Sequence, residues 1–162
     1  MPKAALIMGS KSDWPSLKGC VDVLKGFGIK VEVHVASAHR TPETVAAFAA
    51  GARENGFEVI IAAAGKAAHL AGVIAGHTTL PVIGIPIKSS FMDGLDSLLS
   101  TVQMPTGIPV ATVAVGGGDN AAYLAAQMLS IKYPILAEKL LAHRERMAAA
   151  IEADDRQIQE EL

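Results

Sequence analysis

The amino-acid sequence predicts an α/β fold in three αβα layers, a doubly wound parallel sheet with a C-terminal helical extension. Segments with strand-like and helix-like patterns alternate five times along the 162 residues, as in parallel strands joined by crossover helices. The strand-like segments are mostly apolar, as expected for strands buried on both faces. The sequence contains no repeat and no linker. We therefore predict one domain over residues 1–162, with its core in 3–133 and a final helix in 134–162.

Each predicted strand is a short apolar run that ends at glycine, proline or small polar residues. The first run is wholly apolar. The second run alternates between apolar and polar residues, with the two-residue period of a strand. The five predicted strands cover residues 4–8, 29–36, 57–64, 81–85 and 108–115.

Apolar residues recur at helical spacing between these strands. In the first helix they are followed by Gly26 and Gly28, which are typical of a helix end. Thr41 and Pro42 are typical of the N-cap and the first position of the second helix. We expect the tail 152–162 to be frayed or packed on a neighbouring subunit. The predicted helices cover residues 14–27, 43–55, a short segment ending near 76, 95–102, 120–132 and 134–162.

Composition excludes several classes of protein. Half of the residues are hydrophobic and only 19% are charged, against a usual charged share of about 25%, so we expect a homo-oligomer that covers its apolar surface. A net charge of −2 gives no basic surface for nucleic acid. No apolar run approaches the roughly 20 residues of a membrane helix, and no signal peptide precedes the first strand. The single Cys20 is interpreted as a core residue of a cytoplasmic protein.

Polar side chains follow the predicted strands at the points where they end. Ligands of an open parallel sheet bind at the carboxyl ends of its strands, so these residues are candidates for one site. They are Ser10, Ser12 and Asp13 after the first strand, Ser37, His39 and Arg40 after the second, Lys66 and His69 after the third, and Ser89, Ser90 and Asp93 after the fourth.

His39 and Arg40 stand side by side between a strand and a helix N-terminus. The free N–H groups and the dipole of a helix N-terminus attract anions. A guanidinium adds a forked donor suited to phosphate, and an imidazole gains and loses a proton near neutral pH. The sequence therefore predicts a site that binds an anion and transfers a proton. The alternative is that the two residues belong to a solvated turn.

Structural alternatives also exist for the flanking loops. Ser12 and Asp13 are suited to cap the first helix. The small residues of 62–70 would let a flat ligand approach the backbone, or would serve only close packing of a helix on the sheet. Dinucleotide, Walker and nucleophile-elbow motifs are absent. The five histidines are dispersed along the chain, and we expect neither a metal nor a cofactor.

Six motifs together resemble the N5-carboxyaminoimidazole ribonucleotide mutases of purine biosynthesis. The resemblance extends over residues 4–130 and includes MGSKSDW, SAHRTP, AGKAAHL, LPVIGIP, GLDSLLSTVQMP and GIPVATVAV. It implies an isomerase that moves a carboxyl group from the exocyclic nitrogen of an aminoimidazole ribonucleotide to ring carbon 4. It also implies a flavodoxin-like fold and a homo-octamer with sites at subunit contacts.

The resemblance assigns roles residue by residue. It places His39 on the catalytic histidine of the family, Ser10, Asp13 and Arg40 on substrate-binding positions, and Ser12, Ser37, His69 and Leu70 on positions that line the site. The third loop departs from the family, since Lys66 and Ala71 stand where the family has Gly and Pro. Lys66 adds a cation beside the carboxylate pocket, where it would hold the migrating group or narrow the pocket, and we include it among the substrate-binding residues.

Two other functions stay open at this point. One is an aminoimidazole ribonucleotide carboxylase that uses free carbon dioxide. In that branch Lys replaces the arginine that corresponds to Arg40, and the Ala-Ala-His run is missing, whereas this chain has both features. The other is a flavodoxin-like binding module for a flavin or nucleotide. With 4% aromatic residues, the chain offers little surface for stacking on a flavin.

Overall fold

The computed structural model describes residues 1–162 and contains one five-stranded parallel sheet. The strand order is β2-β1-β3-β4-β5, which is the order of flavodoxin-like folds, so the predicted fold class is confirmed. The strands are β1 (Lys3–Met8), β2 (Lys30–Val35), β3 (Val59–Gly65), β4 (Val82–Ile87) and β5 (Ala111–Thr112). The helices are α1 (Trp14–Phe27), α2 (Pro42–Gly51), α3 (Leu70–Ala75), α4 (Leu95–Val102), α5 (Gly118–Ser130) and α6 (Pro134–Glu160), and a 3₁₀ turn (Lys11–Asp13) precedes α1.

Two apolar cores lie on opposite faces of the sheet. Alternate residues of β1 point to opposite faces, so Leu6 and Met8 join a core with α1, α5 and the start of α6. Ala5 and Ile7 join the other core with α2 and α3. The three αβα layers predicted from the sequence are therefore present.

The two edge strands differ from the prediction. The expectation that strands are buried on both faces is wrong for β2, where Lys30, Val33, His34 and Val35 are exposed, because β2 has a neighbour on one side only. The predicted fifth strand, 108–115, is reduced to Ala111–Thr112. Pro109 has no N–H to donate. Beyond Thr112, contact with β4 continues through separate bonds, from the Val113 N–H to the Gly84 carbonyl at 3.1 Å and from the Gly116 N–H to the Pro86 carbonyl at 2.8 Å.

Three helix boundaries also differ. The second helix ends at Gly51 rather than at Asn55, and the Asn55 side-chain amide donates to the Gly51 carbonyl at 2.9 Å. The fifth helix begins two residues earlier than predicted, at Gly118. The last helix continues to Glu160, so the fraying expected for 152–162 is wrong, and the alternative that this tail packs on a neighbouring subunit stays a prediction. None of the six helices combines the length and the apolar character needed to cross a membrane.

Candidate functional site

The loops that follow β1, β2, β3 and β4 enclose a cavity of about 580 Å³ at the carboxyl edge of the sheet. All nine residues to which the sequence analysis assigned a role in catalysis or substrate binding line this cavity. They are Ser10, Ser12, Asp13, Ser37, His39, Arg40, Lys66, His69 and Leu70.

The loop after β1 places its hydroxyl groups in a short 3₁₀ turn. Ser10 is the N-cap of this turn, its Oγ accepting from the Ser12 N–H at 3.3 Å and from the Ser12 hydroxyl at 2.9 Å. Asp13 occupies the N-cap position of α1 but makes no capping hydrogen bond with its side chain. The interpretation of Ser12 and Asp13 as simple caps of the first helix is therefore wrong, and the Asp13 carboxylate faces the cavity without that role.

Burial raises the pKa of the Asp13 carboxyl, and a hydrogen bond to the Ser10 backbone partly offsets this effect. A carboxyl group with a raised pKa in a cleft is typical of functional sites.

The loop after β2 is held by a reciprocal pair of hydrogen bonds. The Ser37 N–H donates to the Thr41 hydroxyl at 2.9 Å, and that hydroxyl donates to the Ser37 carbonyl at 3.1 Å. Thr41 is the N-cap residue and Pro42 the first residue of α2, as predicted, but the Thr41 hydroxyl closes the loop instead of capping the helix. The Ser37 hydroxyl accepts from the Arg40 N–H at 3.2 Å.

The Arg40 side chain connects this loop to the loop after β1. Its Nη2 donates to the Gly9 carbonyl at 2.8 Å, and its Nε lies 3.5 Å from the Ser37 hydroxyl. The guanidinium is therefore oriented by both loops, with donors left for a ligand. Because these hydrogen bonds hold Arg40 against the loop after β1, the alternative of a merely solvated turn does not describe this residue.

His39 and His69 meet edge to face inside the cavity. His39 Nε2 lies 2.8 Å from His69 Nδ1, and the two rings are nearly perpendicular, at 89°. One of these two nitrogens must donate and the other must accept. The protonation of one imidazole therefore sets the tautomer of the other.

The loop after β3 combines packing with exposure to the cavity. Ala68, Leu70 and Ala71 are buried, whereas Lys66 and Ala67 are exposed. The small residues Ala68 and Ala71 therefore pack in the core, whereas the small residue Ala67 lines the cavity. Lys66 has a φ of +57°, a left-handed conformation that costs a non-glycine residue about 1–2 kcal/mol.

The loop after β4 completes the wall, and two of the three candidates predicted there, Ser89 and Ser90, line the cavity, whereas Asp93 does not. Ile87, Lys88, Ser89 and Ser90 line the cavity. The Ser89 hydroxyl lies 2.9 Å from both carboxylate oxygens of Asp96, and Lys88 Nζ lies 2.7 Å from Asp93. The prediction missed Ile87 and Lys88, and their position at the end of a strand of the same sheet was the available signal. The remaining lining residues that the prediction missed are Gly9, Ala38, Ala64, Gly65 and Ala67.

The cavity favours an anionic ligand. Its lining includes three permanent cations, Arg40, Lys66 and Lys88, and a single carboxylate, that of Asp13. No group of three or more His, Cys, Asp or Glu side chains is arranged to hold a metal ion. The arrangement can bind a polyanion and exchange a proton through the two imidazoles.

Comparison with known proteins points to one family. The model of the family described as AIR carboxylase, where AIR is aminoimidazole ribonucleotide, matches residues 3–150. A relative from Saccharolobus solfataricus, named N5-carboxyaminoimidazole ribonucleotide mutase, is 58% identical over 147 residues, which cover 91% of this chain and 93% of the relative. A protein of the same name from Mycobacterium tuberculosis is 51% identical over 158 residues, covering 98% of this chain and 91% of the relative.

A solved structure agrees with these sequence relatives. The crystal structure of Treponema denticola PurE superposes with a TM-score of 0.86 at 29% identity, and the match covers 97% of this chain and 98% of that chain. The similarity therefore extends over the C-terminal helix as well as the sheet.

Asp13→Asn should raise the thermal unfolding midpoint at neutral pH. Because its pKa is raised in the folded state, the folded chain binds this proton more tightly than the unfolded chain does. The ionised carboxylate therefore lowers stability above the raised pKa, and the effect vanishes below the unfolded value of 3.8. An amide carries no charge, so the gain should shrink toward zero in acid.

The measurement is the unfolding midpoint of both proteins between acid and neutral pH. Asp22→Asn, at an exposed position on α1, is the matched control and should show no such pH-dependent gain. A midpoint for Asp13→Asn that is equal to or below wild type at neutral pH would contradict the prediction.

Proposed function

This chain belongs to the AIR carboxylase family, and on that basis we propose that it converts N5-carboxyaminoimidazole ribonucleotide to 4-carboxy-5-aminoimidazole ribonucleotide. The reaction is an intramolecular carboxyl transfer of purine (IMP) biosynthesis, which makes the protein an isomerase. The observation that carries the proposal is the contact between His39 and His69 in a cavity lined by cations. Relatives that are 51–58% identical bear the mutase name.

The chemistry assigns His39 the proton transfers. Cleavage of the bond between the exocyclic nitrogen and the carboxyl carbon releases carbon dioxide and leaves the bonding electrons on nitrogen, which takes a proton from His39. The freed aminoimidazole is an enamine-like nucleophile, and its carbon 4 attacks the retained carbon dioxide. His39 then removes the proton from carbon 4, so it acts first as general acid and then as general base.

The remaining residues bind the ribonucleotide. Arg40 is the forked donor for the phosphate, with the Ser10, Ser12 and Ser37 hydroxyls beside it. Asp13 accepts hydrogen bonds from the ribose hydroxyls, because a carboxylate would repel the phosphate. Leu70 and the alanines of the third loop close the pocket around the reacting ring and exclude water, and His69 holds His39 from the other side.

The two alternative functions have less support. An aminoimidazole ribonucleotide carboxylase that uses free carbon dioxide belongs to the same family, but the relatives above 50% identity bear the mutase name. A flavin-binding module would need surface for stacking on a flat ring system. The lining of the cavity includes no Phe, Tyr or Trp.

We also propose a homo-octamer that works in the cytoplasm. Leu95, Leu99 and Val102 form an apolar face on α4 in which each side chain is about half exposed, and Phe91 beside it is 85% exposed. An apolar face of this kind on a small protein is typical of an interface between subunits. The face follows the loop that lines the cavity, so assembly would enclose the site. A buried free thiol at Cys20 agrees with a reducing compartment.

His39→Asn should keep the fold and the affinity for the ribonucleotide but remove nearly all turnover. The amide is similar in size to the imidazole but cannot exchange the proton, and general acid–base catalysis is typically worth about 10²–10⁴-fold. The measurements are kcat for the carboxyl transfer and ligand affinity by calorimetry. His34→Asn, on exposed β2 outside the cavity, is the matched control, and retention of more than roughly a tenth of kcat in His39→Asn would argue against the role.

Labelled carbon should pass from substrate to product with little dilution. The experiment supplies ribonucleotide labelled in the N-carboxyl group in unlabelled bicarbonate buffer, without ATP, and measures label in the product at early times. Escape of carbon dioxide competes with capture, and each 1.4 kcal/mol between the two barriers changes the partition about tenfold. Product with the specific activity of the bulk bicarbonate pool would contradict the mutase proposal and favour the carboxylase that uses free carbon dioxide.

Light scattering at micromolar protein should give a mass about eight times that of the 16.8 kDa chain. Leu99→Asp should lower this mass, because a carboxylate at the centre of the α4 apolar face cannot be buried without a partner. Circular dichroism of the variant checks that its helices are intact. A wild-type monomer would contradict both the octamer and a site completed by a neighbouring subunit.

A further inference from the structure

Lys66 adopts a backbone conformation that favours glycine. It has a φ of +57° in the loop between β3 and α3, a region that L-residues with a side chain rarely occupy. Glycine would adopt this conformation without strain. A lysine at such a position lining the cavity indicates that the side chain has a use there.

The charges around the cavity leave two cations uncompensated. Lys88 is neutralised by Asp93 at 2.7 Å, whereas neither Lys66 nor Arg40 has a carboxylate within 4.0 Å. The Arg40 guanidinium bonds only neutral groups, the Gly9 carbonyl and the Ser37 hydroxyl. The carboxylated ribonucleotide has two anionic groups, a phosphate and a carboxylate.

The topology separates the two cations. β1 pairs with β2 on one side and β3 on the other, so Arg40 and Lys66 follow strands on opposite sides of β1. Arg40 lies with the serine hydroxyls, a donor-rich region suited to the several oxygens of a phosphate. Lys66 precedes His69 in the same loop, and His69 contacts His39. Lys66 is therefore the cation on the loop where the carboxyl group is transferred.

We propose that the Lys66 ammonium binds the carboxylate of the substrate and product and thereby discriminates them from the decarboxylated aminoimidazole ribonucleotide. This inference rests on the proposed function and goes further, because it assigns the carboxylate of the ribonucleotide to one side chain of the cavity lining. Lys66 is a specificity-determining residue, and the proton transfers remain with His39.

Three variants of Lys66 separate its charge from its backbone conformation. Lys66→Met removes the charge and keeps an unbranched side chain at the same φ, Lys66→Arg keeps the charge, and Lys66→Gly removes both the charge and the strain. Calorimetry in bicarbonate-free buffer measures the affinity of each variant for two ligands, 4-carboxy-5-aminoimidazole ribonucleotide and aminoimidazole ribonucleotide.

Lys66→Met should bind the carboxylated ribonucleotide about 10- to 100-fold more weakly, which is the range for a hydrogen bond between charged groups. It should bind the decarboxylated ribonucleotide as wild type does. Lys66→Arg should restore most of the lost affinity. Lys66→Gly should match Lys66→Met in discrimination while unfolding at a higher temperature than wild type, because the strain is relieved.

Equal losses for the two ribonucleotides would overturn the inference, since the ammonium would then act on the phosphate or only shape the loop. Unchanged affinities in Lys66→Met would overturn it as well, because the side chain would then be a solvated lysine. In both cases wild-type binding and turnover would leave the mutase proposal intact. A wild-type protein that binds neither ribonucleotide would instead contradict the proposed function itself.

Discussion

The central position of β1 is the constraint on which the candidate site depends. β1 pairs in parallel with both β2 and β3, so the three loops that follow these strands emerge at one edge. His39 and His69 are 30 residues apart in sequence, and they meet because their strands flank β1. Leu6 is buried on one face of the sheet and Ile7 on the other. A one-residue shift of β1 would exchange the side chains between the two cores and disrupt the packing of both. The apolar core thus holds the polar site in register.

The site contains groups that lower the stability of the fold. The desolvated Asp13 carboxyl and the left-handed Lys66 both have unfavourable local energies, of the order of 1–3 kcal/mol for a strained residue. A fully buried leucine or isoleucine contributes about 1.5–3 kcal/mol. The three central strands bury several such residues, among them Leu6, Ile60, Ile61 and Ile83. The sheet can therefore maintain these groups, which face the cavity and not the core.

The parts of the structure that local patterns determine could be predicted from the sequence. Apolar runs between helical segments identified the parallel sheet. The rule that ligands bind at the carboxyl edge collected eight of the nine residues with assigned roles, and Leu70 came from the family resemblance. The exposure of β2 was not predicted, because it depends on strand order, although the polar Glu32 and His34 within the run were a sign of an edge. The ion pair of Lys88 with Asp93 and the contact between the two histidines depend on side-chain conformations in three dimensions. No spacing in the sequence specifies these contacts.

The contact between His39 and His69 suits a reaction that neither consumes nor releases a proton overall. In the proposed transfer the exocyclic nitrogen gains one proton and carbon 4 loses one, so the proton that His39 gives is later recovered. At 2.8 Å, the facing nitrogens of the two rings hold one proton between them, because two N–H groups would repel each other. When His39 gives its other proton to the substrate, the shared proton stays on Nε2, and its hydrogen bond to His69 Nδ1 holds the neutral ring in position. A closed cycle of this kind needs no net exchange of protons with solvent, which is compatible with the proposed exclusion of water from the retained carbon dioxide.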